Sequence, residues 1–131
     1  ELIRKTGTTD LVTLVGSRDD IPDLMNLLDI HILSSKNEAF GNVLIEAMAC
    51  GTPCISTNVG EAAHIVGDTG WIVEPKNGSA MSEAIVEALT EWSVTDKWKK
   101  RQTAARSRVV ENFSAVKMMS DYQMVWHGKP C

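Results

Sequence analysis

The chain has 131 residues, the scale of one domain with a single core, and 44% of them are hydrophobic against 23% charged. Those proportions exclude a disordered chain, a collagen-like repeat and a membrane-embedded protein, and a formal charge of −4 gives no long-range attraction for nucleic acid. No apolar run reaches the roughly 18 residues of a spanning helix, no basic-then-apolar leader opens the sequence, and the start at Glu1 in a mixed polar stretch suggests a fragment.

Leu11-Val12-Thr13-Leu14-Val15, closed by Gly16, predicts a buried parallel strand. A helix follows, with Asp20 as its cap, Pro22 in its first turn, and Ile21, Leu24, Met25 and Leu28 on one face. Ile30-His31-Ile32-Leu33 predicts a second strand, and residues 42–50 a helix that Gly51 stops. Thr52-Pro53-Cys54-Ile55-Ser56-Thr57 predicts a third strand, its proline confined to the first residues where a missing N–H matters least. A short helix over 59–66 and a fourth strand, Thr69-Gly70-Trp71-Ile72-Val73, complete the alternation before the turn Pro75-Lys76-Asn77-Gly78. Residues 79–127 are then helical. Met81, Ala84, Ile85, Ala88 and Leu89 form one stripe, residues 98–112 a charged helix, and Met118, Met119, Tyr122 and Trp126 the apolar positions of a last helix, expected as core or domain contact.

Strands separated by helices predict an α/β fold: a Rossmann-like parallel sheet with helices on both faces, in one domain over residues 1–131. Ligands in such sheets sit beyond the carboxyl ends of the strands, which directs attention to loops 16–20, 34–41, 57–61 and 74–77. Cys50, Cys54 and Cys131 form neither an even disulfide framework nor a metal-ligand pair, which fits a reducing cytoplasm and, for Cys50 and Cys54, a role as small buried hydrophobes. The basic run Lys97, Lys99, Lys100, Arg101, Arg106 and Arg108 is a solvated helix face, and His31 and His64 are structural, with no nucleophile placed beside them by motif.

Loop 34–41 and the helix after it hold the chemistry-bearing pattern. Glu46 lies four residues beyond Asn42, which puts the two on one helix face about 6 Å apart along the axis. The helix start presents free N–H groups and a partial positive charge suited to phosphate, and Gly41 permits close approach to the backbone. Glu38 on the other side of that start would accept hydrogen bonds from ligand hydroxyls. An ordinary amphipathic helix with one glutamate in it has the same spacing, and Phe40 is equally read as a core plug; spacing alone leaves both open.

Glu38-Ala39-Phe40-Gly41 with Glu46-Ala47-Met48-Ala49-Cys50-Gly51-Thr52-Pro53 resembles the signature of the retaining glycosyltransferases called group 1 or family 4, two glutamates separated by seven residues. The resemblance continues in Val15-Gly16 before Ile21-Pro22-Asp23-Leu24, in Thr57-Asn58-Val59-Gly60-Glu61, in Gly67-Asp68-Thr69-Gly70-Trp71-Ile72-Val73-Glu74-Pro75 and in Asn112-Phe113-Ser114, covering about residues 10–126. It is to the C-terminal, donor-binding half of a two-domain GT-B enzyme. The resemblance implies that Glu38 is the catalytic residue that binds hydroxyls of the transferred sugar. It implies further that the backbone N–H groups of Phe40, Gly41, Asn42 and Val43 meet sugar and diphosphate, that Glu46 binds the ribose, and that Gly16, Ser17 and Arg18 lie near the nucleobase.

The same resemblance implies a UDP- or GDP-sugar donor, no cofactor and no metal. A hexose or N-acetylhexosamine would pass with retention of configuration to a glycan or lipid-linked acceptor. The acceptor would be held by an N-terminal domain that this sequence does not match, in an enzyme at the cytoplasmic side of the membrane. Two features depart from the family pattern. Ala39 stands where a glycine is usual, and the basic pair that meets the leaving phosphate has no match, since Arg4 and Lys5 are adjacent and misplaced for it. The chain alone is therefore expected to be inactive. Glu61, in loop 57–61, is a further candidate for the cleft. An epimerase of related architecture and a non-catalytic sugar-nucleotide-binding subunit are the competing readings.

Overall fold

Short apolar runs and intervening helices assemble into a parallel sheet in the structure, a computed structural model that describes residues 1–128; Cys131 lies outside them. The order is α1 (Leu2–Lys5), α2 (Ile21–Leu27), β1 (His31–Leu33), α3 (Asn42–Ala49), β2 (Cys54–Thr57), α4 (Ala62–Val66), a 3-10 turn (Gly67–Thr69), β3 (Trp71–Val73), α5 (Gly78–Trp92), α6 (Thr95–Phe113) and α7 (Ala115–Trp126). Among the described residues the sheet has three parallel strands with β2 in the centre, Ile55 standing opposite both Ile32 and Trp71. Pro53 falls just before β2, where it needs no N–H, and its carbonyl accepts from the His31 amide at 3.0 Å.

Alternation along β2 builds two cores, one on each face of the sheet. Cys54 packs with Leu44 and Met48 of α3, Ile65 of α4, and Ala105 and Val109 of α6. Ile55 points the other way, toward Trp71, Ala84 and Ala88 of α5, and Trp98 of α6. Helices therefore cover both faces, and α6 serves both by running past the end of the sheet. At that corner Arg101 grips the buried Glu91 through two guanidinium nitrogens while lying 4.3 Å above the Trp71 ring, which stacks in turn on Trp98. The guanidinium holds the Glu91 carboxyl below its ordinary range.

Four expectations are corrected. Leu11-Val12-Thr13-Leu14-Val15 is no strand: Leu11 and Leu14 are 84% and 81% exposed, and the amides of Leu11 and Val12 bond back to Thr8 O. Among the described residues the sheet ends at β1, whose outer edge this run does not join, and outside the sheet its backbone and apolar side chains are left to solvent. Asp20 occupies the cap position of α2 without a side-chain capping bond, because its carboxylate is taken by Arg18. The helix expected over 59–66 begins at Ala62, since Gly60 at φ +51° turns the chain first. Finally, α7 forms as a helix, as expected, but is not part of the core: it buries none of its residues, Met119 and Trp126 face solvent, and Met118 and Tyr122 line an open groove with residues of α3. No helix of the described residues is long and apolar enough to cross a membrane.

Candidate functional site

The carboxyl end of β1 leads through residues 34–41 into α3, and this loop is fastened from two sides. Thr57, buried at the end of β2, donates its hydroxyl to Ser35 O at 2.7 Å and, at 3.4 Å, to Leu33 O. Gly60 abuts the loop from the β2–α4 connection so closely that a Cβ there would stand 2.3 Å from Glu38 O and 2.6 Å from Ala39 O. Glu38 is half-buried, and one of its carboxylate oxygens accepts a hydrogen bond from the Ser35 hydroxyl at 2.8 Å.

Gly41 caps α3 at φ +87° and is buried. A side chain would have room there, its nearest neighbour being Leu44 Cδ1 at 3.4 Å, so the left-handed backbone is what calls for glycine. No side chain among the described residues caps α3; the Leu44 amide donates to Gly41 O at 2.9 Å, and the Asn42 and Val43 N–H groups at the helix start meet no intrahelical carbonyl. Those free donors and the positive end of the helix dipole suit an anion. Phe40 is 41% exposed, and its ring meets Phe113 edge to face at 6.3 Å; Phe113 meets His64 in the same way at 5.5 Å. Phe40 is thus a surface brace rather than a core plug.

Glu46, one turn into α3, is exposed and opens on a cleft of about 410 Å³ walled by Ile21, Pro22 and Met25 of α2 and by Ala49 and Cys50. Asn42 lines a different hollow of about 530 Å³, with Phe40, Ile45, Asn112 and Tyr122. The two residues, one turn apart on α3, therefore border two different cavities. Gly16, Ser17 and Arg18 are exposed on the loop that enters α2, hence at the approach to the Glu46 cleft; the Arg18 guanidinium is engaged with Asp20, Nε donating at 2.6 Å. Glu61 is exposed at the start of α4.

Of the two cysteines expected as small buried hydrophobes, Cys54 is buried, whereas Cys50 is only partly buried and lines the Glu46 cleft. Burial pushes the Cys54 thiol up to about 12, which keeps it protonated and inert. Burial also lowers the His31 pKa, and its Nε2 is buried without a partner. Loop 57–61 and the start of α2 were singled out in the sequence by position and resemblance, but the particular roles of Thr57, Gly60 and the α2 wall act across contacts between chain segments, which no local pattern reports.

A parallel sheet covered on both faces, with a helix starting at a left-handed glycine between two carboxylates beyond its strand ends, defines a Rossmann-like domain of the kind found in GT-B enzymes. The chain belongs to the glycosyl transferases group 1 family, whose model matches residues 1–105. It is 32% identical over 129 residues to N-acetyl-alpha-D-glucosaminyl L-malate synthase of Bacillus anthracis, a match that covers 97% of this chain and 33% of that protein. The crystal structure of a glycosyltransferase from Rickettsia africae ESF-5 superposes with a TM-score of 0.87 at 33% identity, covering 95% of this chain and 34% of the other. Anabaena Alr3699/HepE in complex with UDP gives a TM-score of 0.83 at 28% identity, covering 96% and 35% respectively. That protein has also been solved with UDP-glucose, with a TM-score of 0.79 at 26% identity over 96% of this chain and 35% of the other. The chain thus spans about a third of the length of each.

Proposed function

We propose that this chain is the donor-binding half of a retaining glycosyltransferase, taking a UDP- or GDP-activated hexose or N-acetylhexosamine. The observation that carries this reading is the placement of Glu38 and Glu46 around the start of α3, where the Asn42 and Val43 amides meet no carbonyl of their own helix. The diphosphate sits on the N–H groups of Phe40, Gly41, Asn42 and Val43. Glu46 accepts the ribose hydroxyls at the mouth of the α2–α3 cleft, which gives the base an apolar wall, and the loop Gly16-Ser17-Arg18 borders it. Glu38 accepts the sugar hydroxyls and fixes the anomeric carbon over the phosphate.

As the bond from the anomeric carbon to the phosphate oxygen lengthens, positive charge gathers on the sugar and negative charge on the departing diphosphate. The fixed amides of α3 stabilise the latter without reorganising, and no residue of this chain is assigned as a metal ligand. Front-face attack by the acceptor hydroxyl gives retention. The binding site for the acceptor, a glycan or lipid-linked saccharide, and the basic pair that completes the phosphate site lie in sequence that these 131 residues do not match, in keeping with a chain that spans about a third of its relatives. The polypeptide by itself therefore binds donor without transferring sugar.

Titration calorimetry with UDP-glucose and UDP, repeated with GDP-mannose and GDP, tests this. Glu46→Ala should weaken all binding nucleotides by about ten-fold or more, the scale of a hydrogen bond to a charged group. Glu38→Ala should weaken the sugar nucleotide and leave the bare diphosphate unchanged. Identical affinities in all three proteins would refute the assignment.

A further inference from the structure

We propose that Ser35 is a positioning residue for Glu38 and that Thr57 holds Ser35 in place, so that selectivity for the sugar is set from the end of the neighbouring strand. The inference rests on the donor-site reading above and extends it to residues that touch no ligand. A carboxylate has two oxygens with about four lone-pair sites, and a glutamate at the surface samples many rotamers. In Glu38 one oxygen is committed to the Ser35 hydroxyl at 2.8 Å, which fixes the carboxylate plane and leaves the second oxygen for a ligand hydroxyl.

That bond orients Glu38 only if Ser35 is itself immobile. Its carbonyl accepts the Thr57 hydroxyl at 2.7 Å, and Thr57 is 4% exposed at the last position of the central strand. The main chain at Glu38 is closed from the opposite side by Gly60, which stands where any side chain would strike the carbonyls of Glu38 and Ala39. Side chain and main chain of the glutamate are thus held by different elements, both anchored at the carboxyl end of β2. Ordering the carboxylate before the ligand arrives removes that cost from binding. The contribution falls only on ligands that carry the sugar.

The test is a double-mutant cycle on the whole chain, with Ser35→Ala, Glu38→Ala and the pair, read as the ratio of UDP-glucose to UDP affinity, or of GDP-mannose to GDP where guanine nucleotides bind more tightly. Ser35→Ala should lower that ratio about five-fold, the scale of one side chain that must be ordered on binding, with the affinity for the bare diphosphate unchanged. In the Glu38→Ala background the same substitution should change nothing, and Ser35→Thr should restore the ratio. Thr57→Val, which keeps the shape and removes the hydroxyl, should lower the ratio about two-fold and serves equally if Ser35→Ala does not fold.

An unchanged ratio in Ser35→Ala and Thr57→Val, with Glu38→Ala still lowering it, overturns the positioning role and leaves the donor site standing. Equal loss of sugar nucleotide and diphosphate marks general damage to the loop and also overturns it. No effect of Glu38→Ala on the ratio, or no binding of either nucleotide pair, removes the donor-site reading itself and this inference with it.

Discussion

Residues 11–15 and the strand Cys54–Thr57 are built from similar material, short runs rich in β-branched and apolar side chains, and they end differently. All four residues of β2 are buried, with a paired strand on each side and a helical layer on each face, whereas residues 11–15 are exposed throughout. Strand propensity describes how well a side chain fits a pleated, half-buried surface, and it yields a strand only where the surface exists. The difference extends to the site. The loop bearing Glu38 and the start of α3 hang from the well-packed end of the sheet, while the loop bearing Gly16, Ser17 and Arg18 leaves the exposed run.

The largest difference is expected between a leucine packed against β2 and one in the exposed run. Leu44→Ala, at a fully buried α3 position, should cost about 3 kcal/mol in urea unfolding, and Leu14→Ala should stay within about 0.5 kcal/mol. Equal losses would mean that residues 11–15 are packed after all. Next in size, Gly60→Ala combines φ +51° with a collision against the Glu38 and Ala39 carbonyls and should cost about 2 kcal/mol. It should also disturb the backbone amide resonances of loop 34–41, which Gly16→Ala, with nothing within 4 Å of the added Cβ, should leave in place.

Two pH effects sharpen the picture on the buried side. Glu91 is held below its ordinary 4.5 chiefly by the hydrogen bond from Arg101, so its contribution is present above pH 4.5 and is lost as pH falls through the lower folded value. Thermal melts between about pH 7 and about pH 3 should show that loss, and Glu91→Gln should remove it. His31 gives the smallest effect. Its folded pKa lies below the ordinary 6.5 because burial disfavours the imidazolium, so the unfolded chain takes up the proton first and stability declines as pH drops below 6.5. His31→Gln should flatten that shallow slope, and a slope that persists would place the titrating group elsewhere.

Local pattern carried a good part of the architecture. Residues 30–33, 52–57 and 69–73 stood out as strands because apolar runs are cut off by glycine, proline or polar residues, and four of the stripe Met81, Ala84, Ile85, Ala88 and Leu89 placed α5 on the sheet, Leu89 being exposed. The same signal failed at residues 11–15; at α7 it found the helix, whose apolar face is as clear as in α5 but stays largely exposed among the described residues. Pattern reports what a segment needs to bury, not what is present to bury it.

In the candidate site, Gly41 and the two glutamates were legible because they lie within one short run. Their support was not, since Thr57 reaches Ser35 across 22 residues and the α2 wall of the Glu46 cleft is set by how two helices pack. Asp20 shows the same limit in reverse: a good capping residue by composition, it is diverted by Arg18 two residues away.

The central claim is that a sugar nucleotide lies along the start of α3 between Glu38 and Glu46. A titration of the nitrogen-15-labelled chain with UDP-glucose, and with GDP-mannose, followed by amide shifts, addresses it most directly. Saturable shifts are expected at Phe40, Gly41, Asn42, Val43 and Glu46 with either ligand that binds. Shifts confined to the groove between α3 and α7, or to α5 and α6, with residues 40–43 and 46 unmoved, would contradict it.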